Sequence, residues 1–169
     1  MMRWQLVLVM ACVLNWSATT GAGDTAPSND FPESARIKLK VMQQIDKDWQ
    51  DKERFLTTIL ANYADDALII APNGDLYRGR EQIKELQEEE YTLRSDALAN
   101  GIAFTFFREV IHEKQVDAST VCFVQDFKVT VKTPHDSTAH VYVSTIMMRK
   151  VNDQWKIIFV QSSRRRAGA

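Results

Sequence analysis

Tyr63-Ala64-Asp65-Asp66-Ala67-Leu68-Ile69-Ile70-Ala71-Pro72-Asn73-Gly74, answered by Tyr77-Arg78-Gly79-Arg80-Glu81, sets the layout of the chain. The segment reads as a helix end, a short buried strand, a tight turn, a return strand and a new helix. Leu68 to Ala71 is the apolar run of the strand. Pro72-Asn73-Gly74-Asp75 closes it with an Asn-Gly turn signal. Leu76 to Arg78 returns, and Gly79 precedes a helix whose apolar residues are Ile83, Leu86 and Tyr91. At a helix-to-strand junction, Asp65-Asp66 suits turn hydrogen bonds better than an acid pair.

Upstream, two helices are predicted. The first starts near Pro32, a residue suited to a first helical position. Ile37, Val41, Met42, Ile45 and Trp49 recur three and four apart and form its expected inward face. The second carries Phe55, Leu56, Ile59, Leu60 and Tyr63 with the same period, after a bend at Asp51-Lys52-Glu53. In the third helix, the acidic run from Glu85 to Glu90 reads as a solvated face.

The second half is β in character. Ala103 to Ile111, Thr120 to Lys132, Thr138 to Lys150 and Gln154 to Ser162 are rich in Val, Ile, Phe, Thr and Tyr. Helices first and antiparallel strands afterwards predict an α+β domain with helices on one face of a curved sheet. A five-residue loop pairing Lys132 with Thr138 sets Gln125 opposite Thr145. A two-residue turn pairing Val151 with Gln154 sets Thr145 opposite Val160. Side chains alternate between faces, so Phe123, Gln125, Phe127, Val129, Val143, Thr145, Met147, Ile158, Val160 and Ser162 are expected to face the helices. Val124, Ile146, Met148, Ile157 and Phe159 then form an apolar centre on the outer face. Such a patch commonly marks a partner surface and is read as a homodimer face.

Residues 1–23 have the pattern of a secretory signal. Arg3 supplies the positive start, Trp4 to Leu14 the apolar run, and Ser17 to Gly23 the small-residue cleavage region. The run is shorter than the roughly 20 residues of a spanning helix, so no membrane attachment is expected after cleavage. Met10 stands where a lipidation box before Cys12 has a small residue. The expected organisation is signal 1–23, linker 24–31, one domain over 32–163 and a flexible basic tail 164–169, in a secreted or periplasmic protein. The 21 basic and 22 acidic residues nearly cancel, with a net charge of −1. That balance argues against nucleic-acid binding, which needs a cationic face. Beyond the signal only Cys122 remains, so no internal disulfide can form.

The chain resembles the SnoaL-like branch of the nuclear transport factor 2-like superfamily. The matching pieces are Tyr63-Ala64-Asp65-Asp66-Ala67, the Pro72-Asn73-Gly74 turn, Gly79-Arg80-Glu81-Gln82-Ile83, and Trp155-Lys156-Ile157-Ile158 running to Ser162-Ser163. Their order and spacing span nearly all of the chain after the signal. The resemblance implies a cone-shaped α+β barrel: three N-terminal helices on a curved, mainly antiparallel sheet around a pocket. It also implies frequent dimers through the outer sheet face. Functions differ widely within this superfamily, so fold alone does not name a reaction.

The ketosteroid isomerase of this fold keeps its general base just before the proline that ends the first strand. Here that position is Ala71, which cannot move a proton. Its protonated acid falls near Thr145 or Ile146, neither of which is a carboxylic acid. Both halves of that mechanism are missing. His112, His135 and His140 lie at a strand end, in a turn and at a strand start, without a metal-ligand spacing. Cys122 reads as a packing residue. No cofactor, metal or catalytic set is expected. The polar pair Gln125 and Thr145, on an otherwise apolar face, either bond each other or orient a ligand. Trp49, Tyr63, Ala71 and Ser162 complete the candidate pocket, although Trp49 and Tyr63 also suit plain core packing. The first expectation is therefore a domain that binds a small apolar or amphipathic molecule. The alternatives are an enzyme of isomerase, hydrolase or dehydratase type on a hydrophobic metabolite, and a homodimeric assembly module.

Overall fold

The computed structural model describes residues 31–44 and 51–165. Trp49 and Ile45, the signal and most of the linker lie outside the described residues. Three helices, α1 (Glu33–Gln44), α2 (Lys52–Leu60) and α3 (Gly79–Ala99), accompany six strands. The strands are β1 (Tyr63–Ile70), β2 (Leu76–Arg78), β3 (Ala103–Asp117), β4 (Thr120–Lys132), β5 (Ser137–Val151) and β6 (Gln154–Arg164). They form one curved, unclosed sheet in the order β2-β1-β6-β5-β4-β3, antiparallel except where β1 runs parallel to β6. The α+β architecture expected from sequence is thus the one the chain adopts.

Local chemistry explains the boundaries. Asp51 caps α2 by accepting the Arg54 amide at 3.0 Å. The Asn73-Gly74 turn closes with Ala71 N–H donating to Asp75 O and Gly74 N–H to Ala71 O, both at 2.9 Å. Gly74 holds φ at 90° there. Asn152 and Asp153 both take positive φ (50° and 60°), the geometry of a two-residue hairpin turn. Tyr63 belongs to β1 and not to the end of α2. Asp65 and Asp66 are exposed strand residues within 3.5 Å of Arg80 and Arg149.

The core lies between the helices and the concave sheet face, with Phe55, Ile59, Ile83, Leu86, Phe123, Phe127, Ile146 and Met148 among its members. In α1 the inward residues are Ala35 and Leu39, preceded by Phe31, while Ile37 is 52% exposed. The expected stripe through Ile37 was therefore rotated. Phe31, expected in the linker, is instead buried in the core. Phe31 packs edge-on against Phe123 with ring centroids 5.2 Å apart. At the other end β6 runs through Arg164. Arg165 donates its amide to Val141 O at 2.9 Å and its guanidinium to Asp126 at 2.7 Å.

The register of β5 also differs from the expectation. Lys132 pairs with Ser137, not Thr138, which moves β5 by one residue against β4. The cause lies in the loop. Thr133 N–H donates to Asp136 O at 2.8 Å and Asp136 N–H to Thr133 Oγ1 at 2.9 Å, which closes a four-residue connection. A one-residue slip turns every side chain over. Tyr142, Ser144, Ile146 and Met148 thus face inward, while Val143, Thr145 and Met147 face outward. An irregularity between Met147 and Met148 shifts β6 in turn, leaving Ile157, Val160 and Ser162 inward. Ile146, Met148 and Ile157 therefore belong to the core and cannot form a dimer face. Val124 and Phe159 remain on the outer face, half-buried.

Candidate functional site

Polar side chains run across the middle of the concave face. Gln125 on β4 lies opposite Ser144 on β5, and Ser144 lies opposite Ser162 on β6. All three are buried. The two serine hydroxyls share a hydrogen bond of 2.8 Å. On one side of this row stand Phe123, Ile146 and Val160. On the other stand Arg108, Phe127 and Tyr142, paired in that order across β3, β4 and β5.

α3 presents a second polar set. Gln87, Glu90 and Arg94 are three and four residues apart and share one helical stripe, continuous with Ile83 and Leu86. All three are buried, Gln87 completely. The Arg94 guanidinium sits 4.9 Å from the centre of the Phe106 ring. The Arg108 guanidinium sits 4.4 Å from the Phe127 ring and 5.9 Å from Phe106. Cations over ring faces are attracted by the aromatic quadrupole. Two arginines therefore flank Phe106, one from the helix and one from the sheet. Glu90, Arg94 and Arg108 are the buried charged side chains among the described residues.

The amides of Gln87 and Gln125 have no hydrogen-bond partner among the described residues, at either the nitrogen or the oxygen. A buried polar group left unmatched costs roughly 1–3 kcal/mol, and native interiors hold few of them. Two on the inner side of one domain call for a functional explanation. Nearby hydroxyls remain neutral donors. Burial, followed by the negative charges of Asp75, Glu89 and Glu90, raises the Tyr77 phenol. Burial also raises that of Tyr142, against the opposing charge of Arg164.

The sequence-derived candidates divide. Gln125 and Ser162 lie in the polar row. Thr145 points to the outer face, opposite Val124 and not Gln125, because of the β5 register. Tyr63 packs in the core, and Ala71 is buried at the turn after β1. Trp49 lies outside the described residues. Sequence reasoning missed Gln87, Glu90, Arg94, Arg108 and Ser144. Glu90 belongs to the acidic run expected to be solvated, yet it stands one turn beyond the core residue Leu86 and is buried with it. Arg108 alternates with Phe104 and Phe106 along β3, a pattern that marks a shared face.

Elsewhere the titratable groups are peripheral. His112 and His135 are exposed, and half-buried His140 lies 3.2 Å from the Arg164 guanidinium. Among the described residues, no three His, Cys, Asp or Glu side chains converge as a metal site. Burial raises the Cys122 thiol on the outer face.

A family model described as SnoaL-like domain matches residues 50–165. No match was found among curated protein sequences. Among solved structures, a ketosteroid isomerase-like protein from Erwinia carotovora atroseptica is similar at 14% identity and a TM-score of 0.61, over 80% of this chain and 97% of that one. An NTF2-like protein with a cystatin-like fold from Novosphingobium aromaticivorans aligns at 12% identity and a TM-score of 0.61, over 81% and 83%. A hexachlorocyclohexane dehydrochlorinase from Novosphingobium barchaimii aligns at 18% identity and a TM-score of 0.60, over 81% and 91%. At these identities the likeness concerns the fold.

Proposed function

The chain belongs to the SnoaL-like domain family, and from that membership and the polar row on its concave face we propose that it binds a small amphipathic molecule there. The observation that carries this reading is the pair of buried, unmatched amides at Gln87 and Gln125. Ligand sites are mostly apolar with a few convergent polar groups, which is the composition of this interior. Phe106, Phe127 and Tyr142 offer surface to an apolar body. Gln125 and the serine pair offer donors and acceptors to a polar end.

Native mass spectrometry of the protein purified from its own host tests the reading, and a co-purifying small molecule supports it. Gln125→Leu sharpens the test. If Gln125 orients a ligand, the variant loses affinity for the co-purifying molecule by about tenfold. If Gln125 is only an unmatched core residue, the variant gains stability and the affinity stays unchanged.

A second reading is enzymatic. Glu90 is a carboxyl group buried inside the fold. In this reading Glu90 exchanges a proton with a bound hydrophobic metabolite. Ala71 stands at the position where the ketosteroid isomerase of this fold carries its base, so that particular chemistry is not proposed. Export through residues 1–23 and homodimerisation through the outer sheet face also remain proposals. N-terminal sequencing of the mature protein tests the first.

A further inference from the structure

Gln87 on α3 and Gln125 on β4 are both completely buried. The nitrogen and the oxygen of each carboxamide lack a hydrogen-bond partner among the described residues. The other buried polar groups of this interior differ. Glu90, Arg94 and Arg108 all have partners, and the two guanidiniums lie against the Phe106 and Phe127 rings. Ser144 and Ser162 share their hydrogen bond. The unmet demand is therefore uncharged. It is also two-sided, because a carboxamide offers two N–H donors and a carbonyl acceptor. Leucine or methionine would fill either position without the cost of burying an unmatched amide. The chain gives up stability at two places that face one core, Gln87 from the helix side and Gln125 from the sheet.

We propose that the ligand of this interior carries an uncharged amide edge, an N–H donor beside a C=O acceptor as in a lactam or a primary carboxamide, on an apolar body. The inference rests on the binding reading above and specifies the polar end of its ligand. An amide edge set against the Gln125 carboxamide forms one N–H to C=O hydrogen bond in each direction, and so satisfies both ends at once. A carboxylate only accepts. It would leave the glutamine carbonyl oxygen unmatched and facing a negative charge. An ester or an ether also only accepts, with the same oxygen left over. Phe123 and Phe127 flank Gln125 along β4, with Ile146 and Tyr142 opposite them on β5. These four side chains offer surface to the apolar body. Gln87 supplies a second carboxamide for a further polar atom of the ligand.

The test compares probes of one shape that differ at the donor. The full-length protein is titrated by calorimetry with 2-quinolone, with coumarin and with N-methyl-2-quinolone. Coumarin keeps the carbonyl and replaces the N–H by oxygen; the N-methyl compound blocks the donor. An open-chain pair, 4-phenylbutanamide and 4-phenylbutanoate, contrasts the amide with the anion. The expected result is that at least one amide-edged probe binds about tenfold or more tightly than its acceptor-only counterparts. Gln125→Leu should bring that ratio close to unity while leaving the weaker binding in place. A merely structural Gln125 would leave the ratio unchanged. Coumarin and 4-phenylbutanoate that bind as tightly as 2-quinolone and 4-phenylbutanamide overturn the amide edge and leave the binding reading standing. Tighter binding of 4-phenylbutanoate overturns the uncharged class. Absence of binding by all five probes, the result expected if ordered water alone serves the two glutamines, overturns the proposal. The native mass spectrum then shows whether the binding reading survives with a different ligand. Should Gln125→Leu fail to fold, the quinolone-to-coumarin and amide-to-acid ratios of the unaltered protein still decide.

Discussion

At Gly79 the backbone takes φ of 74°, and a Cβ placed there would stand 3.3 Å from the Asp65 carbonyl oxygen. Gly79 therefore serves twice: it starts α3 in a conformation L side chains resist, and it lets the helix start approach β1 closely. Gly74 shares the positive φ but has nothing within 4 Å of its missing Cβ. Gly79→Ala is expected to cost about 1–3 kcal/mol, more than the roughly 1 kcal/mol for Gly74→Ala, as measured by urea denaturation. The sequence marked Gly79 as a helix opener; the close approach to Asp65 depends on tertiary packing and was not readable. His140 supplies a pH test. Burial, and secondarily the Arg164 charge, lower its pKa below the ordinary 6.5. The folded state thus favours the neutral ring. Its contribution is fully present above pH 6.5 and is lost as the pH falls through the lower folded value. The melting temperature of the parent should drop more between pH 7.5 and pH 5 than that of His140→Gln, and equal drops would refute this assignment.

At the scale of elements, strand identity was legible and strand register was not. Both faces of β5 are rich enough in apolar residues to go inward: Val141, Val143 and Met147 on one, Tyr142, Ile146 and Met148 on the other. With both patterns plausible, the loop decides, and the hydrogen bonds between Thr133 and Asp136 select four residues over five. This one choice moved Ser144 into the polar row and Thr145 out of it. The register is testable by paired truncations. Ile146→Ala removes a core side chain and should cost about 2–5 kcal/mol, whereas Met147→Ala should cost clearly less. The opposite order would restore the five-residue loop. For α1, helical period was legible but its phase was not, because Phe31 and Trp155 anchor it from outside the helix. Trp155 Nε1 donates to Ser34 Oγ at 2.9 Å, and Arg36 forms a half-buried ion pair with Glu113 on β3. Glu113→Gln should weaken the docking of α1 by about 1–2 kcal/mol. The expected sign is faster hydrogen exchange at α1 amides with little change in β4 and β5.

At the scale of the whole molecule, the ordered pieces around Asp65-Asp66, Asn73-Gly74 and Gly79 were enough to read the architecture, since each marks a turn or junction with its own chemistry. The interior polar set was harder, because charge runs look alike in sequence whether a member is solvated, as Glu89 is, or buried, as Glu90 is. The outer sheet face brings these scales together. After the register correction it carries Val124, Val143, Met147 and Phe159, all half-buried, and continues to Phe107 on β3, which is 41% exposed. Side chains so placed suit a homodimer, for which a typical interface needs about 800 Å² from each partner. The proposed dimer face therefore keeps Val124 and Phe159 and has Val143 and Met147 where the sequence suggested Ile146, Met148 and Ile157. Phe159→Glu should convert a dimer to a folded monomer in light scattering at micromolar concentration, since its side chain can reach water in the monomer. Ile146→Glu should instead unfold the chain, because it buries an unpaired charge in the core. A parent protein that is monomeric at these concentrations would remove the dimer proposal without touching the interior site, whose groups all come from one chain.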